Sequence, residues 1–190
     1  MIIILYYKMA QYYLDIETEG FNPKEHKVVT IQFQELDNSG NPKGSLTILK
    51  EWKSSEKAIL EDIHDLLLSE NVWHFIPIGT NLIFDLTFLF ERFKINGLKV
   101  PFTLSEFLYK KPMIDIKYSL IIANNLEFKG SGLDKMTNKE TDGRNIPIFY
   151  KNKEFDKIEK YVIQETESFL ECLQKLRTKL MEAFDKDGSS

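Results

Sequence analysis

The chain has 190 residues, of which 43% are apolar and 13% aromatic, and this composition supplies the core of one domain. Its formal net charge of −4 argues against a protein that holds long duplexes over its whole surface, because such binding needs clustered Lys and Arg. Residues 92–160 carry 14 Lys and Arg against 9 Asp and Glu, a net +5, which leaves −9 elsewhere. The basic half could face an anionic substrate, although a charge run is as often an ordinary solvated surface.

The cysteine content and the first residues of the chain are used to predict its cellular compartment. Cys172 is the single cysteine, so no disulfide can form within the chain, which agrees with a reducing cytoplasm. Residues 2–7 are apolar but too short to span a bilayer, and they lack the flanks of a signal peptide. We therefore predict a cytoplasmic protein without a membrane partner. Residues 1–10 are interpreted as an N-terminal extension or added strand, 11–184 as one domain and 185–190 as a flexible tail.

The first strong pattern is an alternating segment over residues 11–17. Alternation with period two predicts a strand that points Tyr13, Asp15 and Glu17 to one face. The opposite face carries Tyr12, Leu14 and Ile16. Two neighbouring carboxylates repel each other unless a proton or a cation intervenes, and Mg²⁺ or Mn²⁺ with oxygen ligands is the usual solution. The segment alone is compatible with a metal site on one face of a strand or, as is more common for Asp-x-Glu, with a solvated outer face.

The next segments predict strands followed by helices. A turn at Gly20 leads to a second strand over residues 27–36, and a third strand is expected over residues 46–49. Ser54 and Ser55 precede a helix with apolar residues at helical spacing. Residues 72–78 indicate a buried strand, with Pro77 at its exit because proline cannot donate a ladder hydrogen bond.

Two helix starts follow that strand. The turn at residues 79–81 leads into a helix whose first turn contains Asp85. An acid in the first turn commonly just complements the helix dipole, so this position alone is a weak indication of function. Thr103 and Glu106 predict a capping box at the start of a further short helix.

A long helix is predicted over residues 155–180, and a carboxylate interrupts its apolar stripe. Glu165 occupies the position between Val162 and Phe169 that should continue the stripe. Burying a charge without a partner is costly, so Glu165 is expected to meet a cation or to be protonated. Tyr161 lies four residues earlier on nearly the same face.

Three segments together resemble the motifs of the DnaQ-like, or DEDD, 3′-to-5′ exonucleases. In chain order they are Asp15-Ile16-Glu17-Thr18, Asn81-Leu82-Ile83-Phe84-Asp85 and Tyr161-Val162-Ile163-Gln164-Glu165. Tyr161 places the resemblance in the tyrosine subgroup, and the second motif is most similar to the proofreading exonuclease domain of family-B DNA polymerases and stand-alone relatives. The resemblance implies an α/β fold of the ribonuclease H-like type, a mixed five-stranded sheet flanked by helices on both faces.

The same resemblance implies a function and a set of site residues. It implies a 3′-to-5′ exonuclease that removes nucleoside 5′-monophosphates from single-stranded nucleic acid, DNA being preferred, with two divalent cations, Mg²⁺ or Mn²⁺. A replication or repair protein is a possible partner. The implied metal ligands are Asp15, Glu17, Asp85 and Glu165, all counted as catalytic together with Tyr161, which would orient the attacking water. The implied substrate contacts are Thr18, Phe21, Asn81 and Phe84.

Two departures from the family pattern leave other functions open. The family nearly always has Asp where this chain has Glu165, and many members have His where it has Thr80. The extra methylene moves the carboxylate, and a displacement of about 1 Å can cost roughly a hundredfold in rate. The alternative is therefore a catalytically weakened nuclease-fold module that binds nucleic acid or a replication or repair partner. A ribonuclease H-like endonuclease is a third interpretation.

Overall fold

Five strands form one mixed sheet in this computed structural model, which describes residues 9–133 and 142–185. The strands are β1 Gln11–Thr18, β2 Val28–Leu36, β3 Thr47–Lys50, β4 Ile76–Gly79 and β5 Ile114–Asp115. Their order is β3-β2-β1-β4-β5. The first three strands are antiparallel, whereas β4 runs parallel to β1 and β5 runs parallel to β4. Most of the proposed N-terminal extension and the tail from residue 186 lie outside the described residues.

The helices of the described residues begin after β3 and alternate with the last two strands. They are α1 Glu56–Leu67, α2 Leu82–Ile95, α3 Leu104–Lys110, α4 Lys117–Ala123, α5 Ile146–Lys151 and α6 Phe155–Asp185. Short 3₁₀ turns occupy Glu51–Lys53 and Gly143–Asn145. Within residues 9–133 and 142–185, no helix is both long enough and apolar enough to cross a bilayer.

The alternation predicted along β1 is present, and its two faces contribute to separate layers of the core. Leu14 and Ile16 pack with the apolar residues of α1, α2 and α3 on one face of the sheet. Tyr13 points to the other face and packs with Leu120 of α4 and Phe169 of α6. Helices therefore cover both faces of a mixed five-stranded sheet, and the predicted fold class is confirmed.

The predicted helix starts are also confirmed, because their signals are local. The Ser55 hydroxyl accepts a hydrogen bond from the Ala58 amide at 3.2 Å and caps α1. Thr103 and Glu106 form the capping box of α3, with the Glu106 carboxylate accepting from the Thr103 amide at 2.7 Å. Both contacts join residues three positions apart, so they depend on little beyond the local sequence.

Two details of the strand prediction over residues 72–78 are wrong, namely the residue at which the strand begins and the position of Pro77. It begins at Ile76, because the Asn71 side chain accepts from the Trp73 amide at 3.1 Å and closes a turn before it. Pro77 lies inside the strand rather than at its exit. The Ile76 amide donates towards β1, so the nitrogen of Pro77 points to the opposite side. On that side, pairing with β5 begins only at Ile78, so no hydrogen bond to β5 requires an N–H group at Pro77.

A close approach between β1 and β4 sets the position of α2. A Cβ atom at Gly79 would lie 2.6 Å from the Leu14 carbonyl oxygen and 2.7 Å from the Leu82 side chain. Only glycine fits this junction without displacing backbone. Helix α2 therefore begins beside the central strand, and its first turn lies near the acids of β1.

A buried ion pair secures the connection between β1 and β2. The Arg92 guanidinium donates to both oxygens of Glu56, at 2.7 and 2.6 Å, and also to the Pro23 carbonyl at 3.1 Å. Glu56 in turn accepts from the Val28 amide at 2.9 Å. The pair joins α1, α2 and the loop that carries Phe21, so this loop is held from the interior.

Candidate active site

Asp15 lies on the central strand and is held by its neighbour across the ladder. Asp15 pairs with Gln32 of β2, and the Gln32 side-chain amide donates to the Asp15 carboxylate at 2.5 Å. Gln32 is fully buried, and its own carbonyl accepts from the Thr30 hydroxyl at 3.0 Å. This chain of hydrogen bonds orients one oxygen of Asp15. Gln32 was not identified from the sequence, because only the register between β1 and β2 shows that it faces Asp15.

Asp85 occupies the first turn of α2 and is a buried carboxyl group. It is only 3% exposed, and its Oδ2 atom has no hydrogen-bond partner among residues 9–133 and 142–185. Burial raises its pKa well above 3.8, and the negative charges of Asp15 and Asp115 raise that pKa further. Without a cation, this environment favours the protonated form of Asp85.

Tyr13 shows that three of the predicted acids share one location. Its buried phenol has a raised pKa, first because of burial and then because of the negative charges of Asp15, Glu17 and Asp85. The charges of all three carboxylates therefore act on the same buried hydroxyl group. The face shared by Tyr13, Asp15 and Glu17 was predicted, whereas the arrival of Asp85 depends on the position of α2.

Tyr161 and Glu165 form the remaining part of the predicted site on α6. The Tyr161 hydroxyl donates to the Glu165 carboxylate at 3.1 Å, as their spacing of four residues allows. Glu165 is partly exposed, although Val162 and Phe169 on either side of it are buried. The carboxylate therefore leaves the core stripe towards the surface. The Tyr161 hydroxyl lies beside Gly143, where a Cβ atom would approach it to 2.7 Å.

A cavity of about 530 Å³ has Glu17 in its wall, whereas Asp15, Asp85, Tyr161 and Glu165 do not line it. It is lined by Ile16, Glu17, Thr18, Gly20, Phe21, Phe84, Asp142, Gly143, Arg144 and Pro147. Phe21 is 81% exposed, and its ring meets that of Phe84 edge-on at 6.3 Å. The wall formed by residues 142–147 was not predicted, because this segment contains no motif that would distinguish it from an ordinary loop.

Of the four predicted substrate contacts, three line this cavity: Thr18, Phe21 and Phe84. Asn81 does not line it. The Asn81 backbone is left-handed, with φ of 65°, and its side-chain oxygen accepts from the Lys117 ammonium group at 2.7 Å. Asp115 accepts from the amides of Asn81 and Leu82, both at 2.9 Å, and so anchors the start of α2. Asp115 was missed because its strand, β5, has only two residues.

The donor set of this site fits a divalent cation at one position. The orphaned, buried Oδ2 of Asp85 and the charge of Asp15 beside it are hard oxygen donors of the kind that Mg²⁺ and Mn²⁺ take. Among residues 9–133 and 142–185, however, no group of three or more His, Cys, Asp or Glu side chains is arranged to hold a metal ion. The pair formed by Asp15 and Asp85 is therefore the centre of the candidate site.

Gly143 offers a test of the Tyr161 hydroxyl that leaves Tyr161 itself unchanged. We expect Gly143→Ala to displace this hydroxyl, because the added methyl group would lie 2.7 Å from it. The rate of strand cleavage should fall about tenfold or more, since a positioned hydrogen bond would be lost. The assay is single-turnover cleavage of a labelled oligonucleotide, and thermal unfolding of the same variant separates a local displacement from a loss of the fold. An unchanged rate would remove Tyr161 from the mechanism.

The fold and the site define a class of protein. A mixed five-stranded sheet with carboxylates on its central strand and on the helix after β4 is the arrangement expected of ribonuclease H-like proteins. A family profile described as the RNase_H superfamily matches residues 12–155. The chain therefore belongs to the RNase_H superfamily.

Solved structures of exonuclease I share this fold. The zinc-bound complex of Escherichia coli exonuclease I with single-stranded DNA is 13% identical, with a TM-score of 0.66 over 95% of this chain and 43% of that one. The complex of the E. coli enzyme with a dT13 oligonucleotide, also 13% identical, gives 0.65 over 94% and 43%. A product-bound structure of exonuclease I, again 13% identical, gives 0.63 over 95% and 46%. This chain thus spans less than half the length of these proteins, and at such identity the likeness shows the fold alone.

A comparison with curated proteins found no match.

Proposed function

We propose that the chain is a metal-dependent 3′-to-5′ exonuclease that removes nucleoside 5′-monophosphates from single-stranded nucleic acid, with DNA as the preferred substrate. The observation that carries the proposal is the buried carboxyl group of Asp85, which is under the charge of Asp15, on elements whose neighbouring residues Glu17 and Phe84 line an open cavity. The three motifs support a DnaQ-like enzyme of the tyrosine subgroup, similar to the proofreading domains of family-B polymerases. The exonuclease I structures with bound single-stranded DNA support the choice of substrate.

The proposed cofactors are two divalent cations, Mg²⁺ or Mn²⁺, held by Asp15 and Asp85 with Glu17 and Glu165 completing the ligands. When bound, such ions lower the pKa of a coordinated water and offset the charge of the leaving oxygen. Gln32 contributes by holding Asp15 in one orientation. Tyr161 contributes a hydroxyl at the edge of the cavity that orients the attacking water.

The cavity walls account for the preference for single strands in this proposal. Phe21 and Phe84 present aromatic surfaces on which unpaired bases can stack, and this contact is open to any base. Thr18 and Arg144 line the same cavity and can contact the sugar and the phosphate of the last nucleotide. Asn81 acts indirectly in this proposal, by joining α2 to Lys117. We place the enzyme in the cytoplasm, with a replication or repair protein as a possible partner.

Product analysis tests the proposal. Single-stranded DNA and RNA labelled at the 5′ end are incubated with the protein and either Mg²⁺ or Mn²⁺, and the products are resolved by length. Stepwise shortening with release of nucleoside 5′-monophosphates is expected. Measurable binding without cleavage by either ion would favour the weakened binding module, and internal fragments would favour an endonuclease.

Glu165→Asp tests whether the site has adapted to the longer side chain. The Glu165 carboxylate lies at hydrogen-bonding distance from the Tyr161 hydroxyl, so shortening it by one methylene should break this contact. We expect the Mg²⁺-dependent rate to fall by about ten- to a hundredfold, because misplacement on the order of 1 Å has effects of this size. Glu167→Asp, an exposed change on the same helix, is the matched control. A faster Glu165→Asp enzyme would show instead that Asp suits the site better.

A further inference from the structure

A second cavity, of about 550 Å³, adjoins the candidate active site. It is lined by Glu19, His26, Pro147, Tyr150, Lys151, Lys153 and Phe155. Pro147, in the first turn of α5, lines both this cavity and the one beside the acids. A chain leaving the active site past Pro147 would therefore enter the second cavity directly.

Two lysines in this cavity have no anionic partner. Lys151 and Lys153 are exposed, and within residues 9–133 and 142–185 their ammonium groups make no ion pair or hydrogen bond. Other lysines of this region are paired, Lys27 with Glu51 at 3.1 Å and Lys157 with Glu154 at 2.8 Å. Lysines near the end of a helix also complement its dipole, but α5 has only six residues. The two charges are therefore available to an external anion.

A turn after α5 holds the backbone of the two lysines close together. The Lys153 amide donates to the Tyr150 carbonyl at 3.0 Å, which closes the turn after α5. Lys153 has a φ of 59°, in the left-handed region that a residue with a side chain seldom adopts. The turn thereby keeps Lys153 close to Lys151 instead of letting the chain run on as a helix.

Aromatic rings form another part of the wall. Phe155 is stacked on Trp52, with ring centroids 4.7 Å apart and planes 6° apart, so its orientation is fixed. The Tyr150 hydroxyl donates to Glu51, which holds the second ring. Rigid aromatic surfaces next to unpaired cations are the combination that binds single-stranded nucleic acid without regard to sequence.

The acidic residue of the cavity is already engaged by the protein. The Glu19 carboxylate accepts a hydrogen bond from the Lys27 amide at 3.1 Å. The Nδ1 atom of His26 lies 3.2 Å from both the amide nitrogen and the carbonyl oxygen of Asn22, and the tautomer of the ring decides which of the two it bonds. The amide leaves the charge of Glu19 in place, so one carboxylate faces two lysines and the net charge of these three cavity residues is positive, in a protein whose net charge is −4.

We propose that this second cavity binds the single strand upstream of its 3′ end, with backbone phosphates on Lys151 and Lys153 and bases against Tyr150 and Phe155. The inference rests on the proposed function, and it specifies a subsite that the three motifs do not contain. Substrates of one or two nucleotides occupy only the cavity beside the acids. Longer strands occupy both cavities and bind more tightly.

Binding measurements on a neutralised variant test the subsite. The double variant Lys151→Gln/Lys153→Gln is compared with wild type for fluorescein-labelled dT2 and dT12, by fluorescence anisotropy in EDTA so that no cleavage occurs. We expect the affinity for dT12 to fall about tenfold or more at 0.1 M salt, and the slope of log K against log salt to become shallower by about 1.4, since each phosphate contact on a single strand contributes about 0.7. The affinity for dT2 should not change.

Matched controls separate this inference from the proposed function. The variant Lys57→Gln/Lys179→Gln makes the same change of charge at exposed positions on α1 and α6, and it should bind both strands as wild type does. Equal salt slopes for wild type and Lys151→Gln/Lys153→Gln would overturn the subsite, as would an equal loss for dT2 and dT12. If the wild-type protein neither bound nor shortened any strand, the proposed function would be overturned instead.

Discussion

Asp85→Asn is expected to abolish strand cleavage while making the metal-free protein more stable. Asn has nearly the shape of Asp, so the packing of this buried position is kept, and its amide stays neutral at every pH, whereas Asp85 avoids repulsion by Asp15 only while it holds a proton. Losing a metal ligand removes several kcal/mol of transition-state stabilisation, which corresponds to about a thousandfold or more in rate. Single-turnover cleavage and thermal unfolding in EDTA measure the two effects.

The pH dependence of stability shows whether the carboxyl group of Asp85 causes the difference in stability between wild type and Asp85→Asn. Its pKa is raised in the folded protein, so between pH 3.8 and that raised value the folded state holds a proton that the unfolded chain has released. The free energy of unfolding therefore falls as the pH rises through this window. The contribution of the protonated Asp85 to stability is fully present only below pH 3.8. Asn does not titrate. The melting temperature of Asp85→Asn should exceed that of wild type by a margin that grows with pH.

A divalent cation should reverse this difference. Mn²⁺ binds the charged form of the site and stabilises the folded wild type by mass action, but it has lost a ligand in Asp85→Asn. Asp62→Asn, the same change at an exposed position of α1, is the control and should behave as wild type does. If Asp85→Asn lowered the melting temperature in EDTA at pH 8 and left cleavage intact, Asp85 would be a structural residue.

Arg92→Met is expected to have the largest effect on stability. The guanidinium group and the Glu56 carboxylate have only 9% and 8% of their side-chain surfaces exposed. Removing one partner leaves a buried charge without compensation, and such changes cost about 3–5 kcal/mol of unfolding free energy. Urea denaturation monitored by tryptophan fluorescence measures the loss.

Two companion variants show whether the buried charge is responsible. Replacing both partners, Glu56→Met with Arg92→Met, should recover much of the stability, because no unpaired charge then remains. Lys94→Met alters a lysine on the same helix whose pair with Glu91, at 3.9 Å, is largely exposed, and it should change stability by less than about 1 kcal/mol. Equal losses in Arg92→Met and in the double variant would assign the effect to packing.

Features that depend on short stretches of chain were predictable from the residues. The two faces of β1 follow from alternation, because successive side chains of any strand point to opposite sides. The hydrogen bonds of Ser55 and of Thr103 with Glu106 join residues three apart, and the pair of Tyr161 and Glu165 lies one helical turn apart. These contacts form wherever the element forms, so a pattern of residue types is enough to find them.

Features that depend on distant parts of the chain were not predictable in this way. Gln32 is oriented towards Asp15 by the register of β1 with β2, and Asp115 meets the start of α2 from a strand of two residues. Pro77 is tolerated inside β4 because β5 begins only beside Ile78. In each case the neighbouring residue or strand lies far away in the sequence, and no local pattern of residue types indicates which one it is.

The division between sequence and tertiary structure is clearest at the candidate site. The resemblance carried by the three motifs predicts that Asp15, Glu17, Asp85, Tyr161 and Glu165 belong to one site, and it implies a sheet covered on both faces. Folding decides that Asp85 is buried next to Asp15, that Glu165 reaches the surface, and that residues 142–153 line two adjoining cavities. The physical reason is that chemistry and periodicity are properties of short segments, whereas burial, electrostatic coupling and cavity shape arise only where several elements meet.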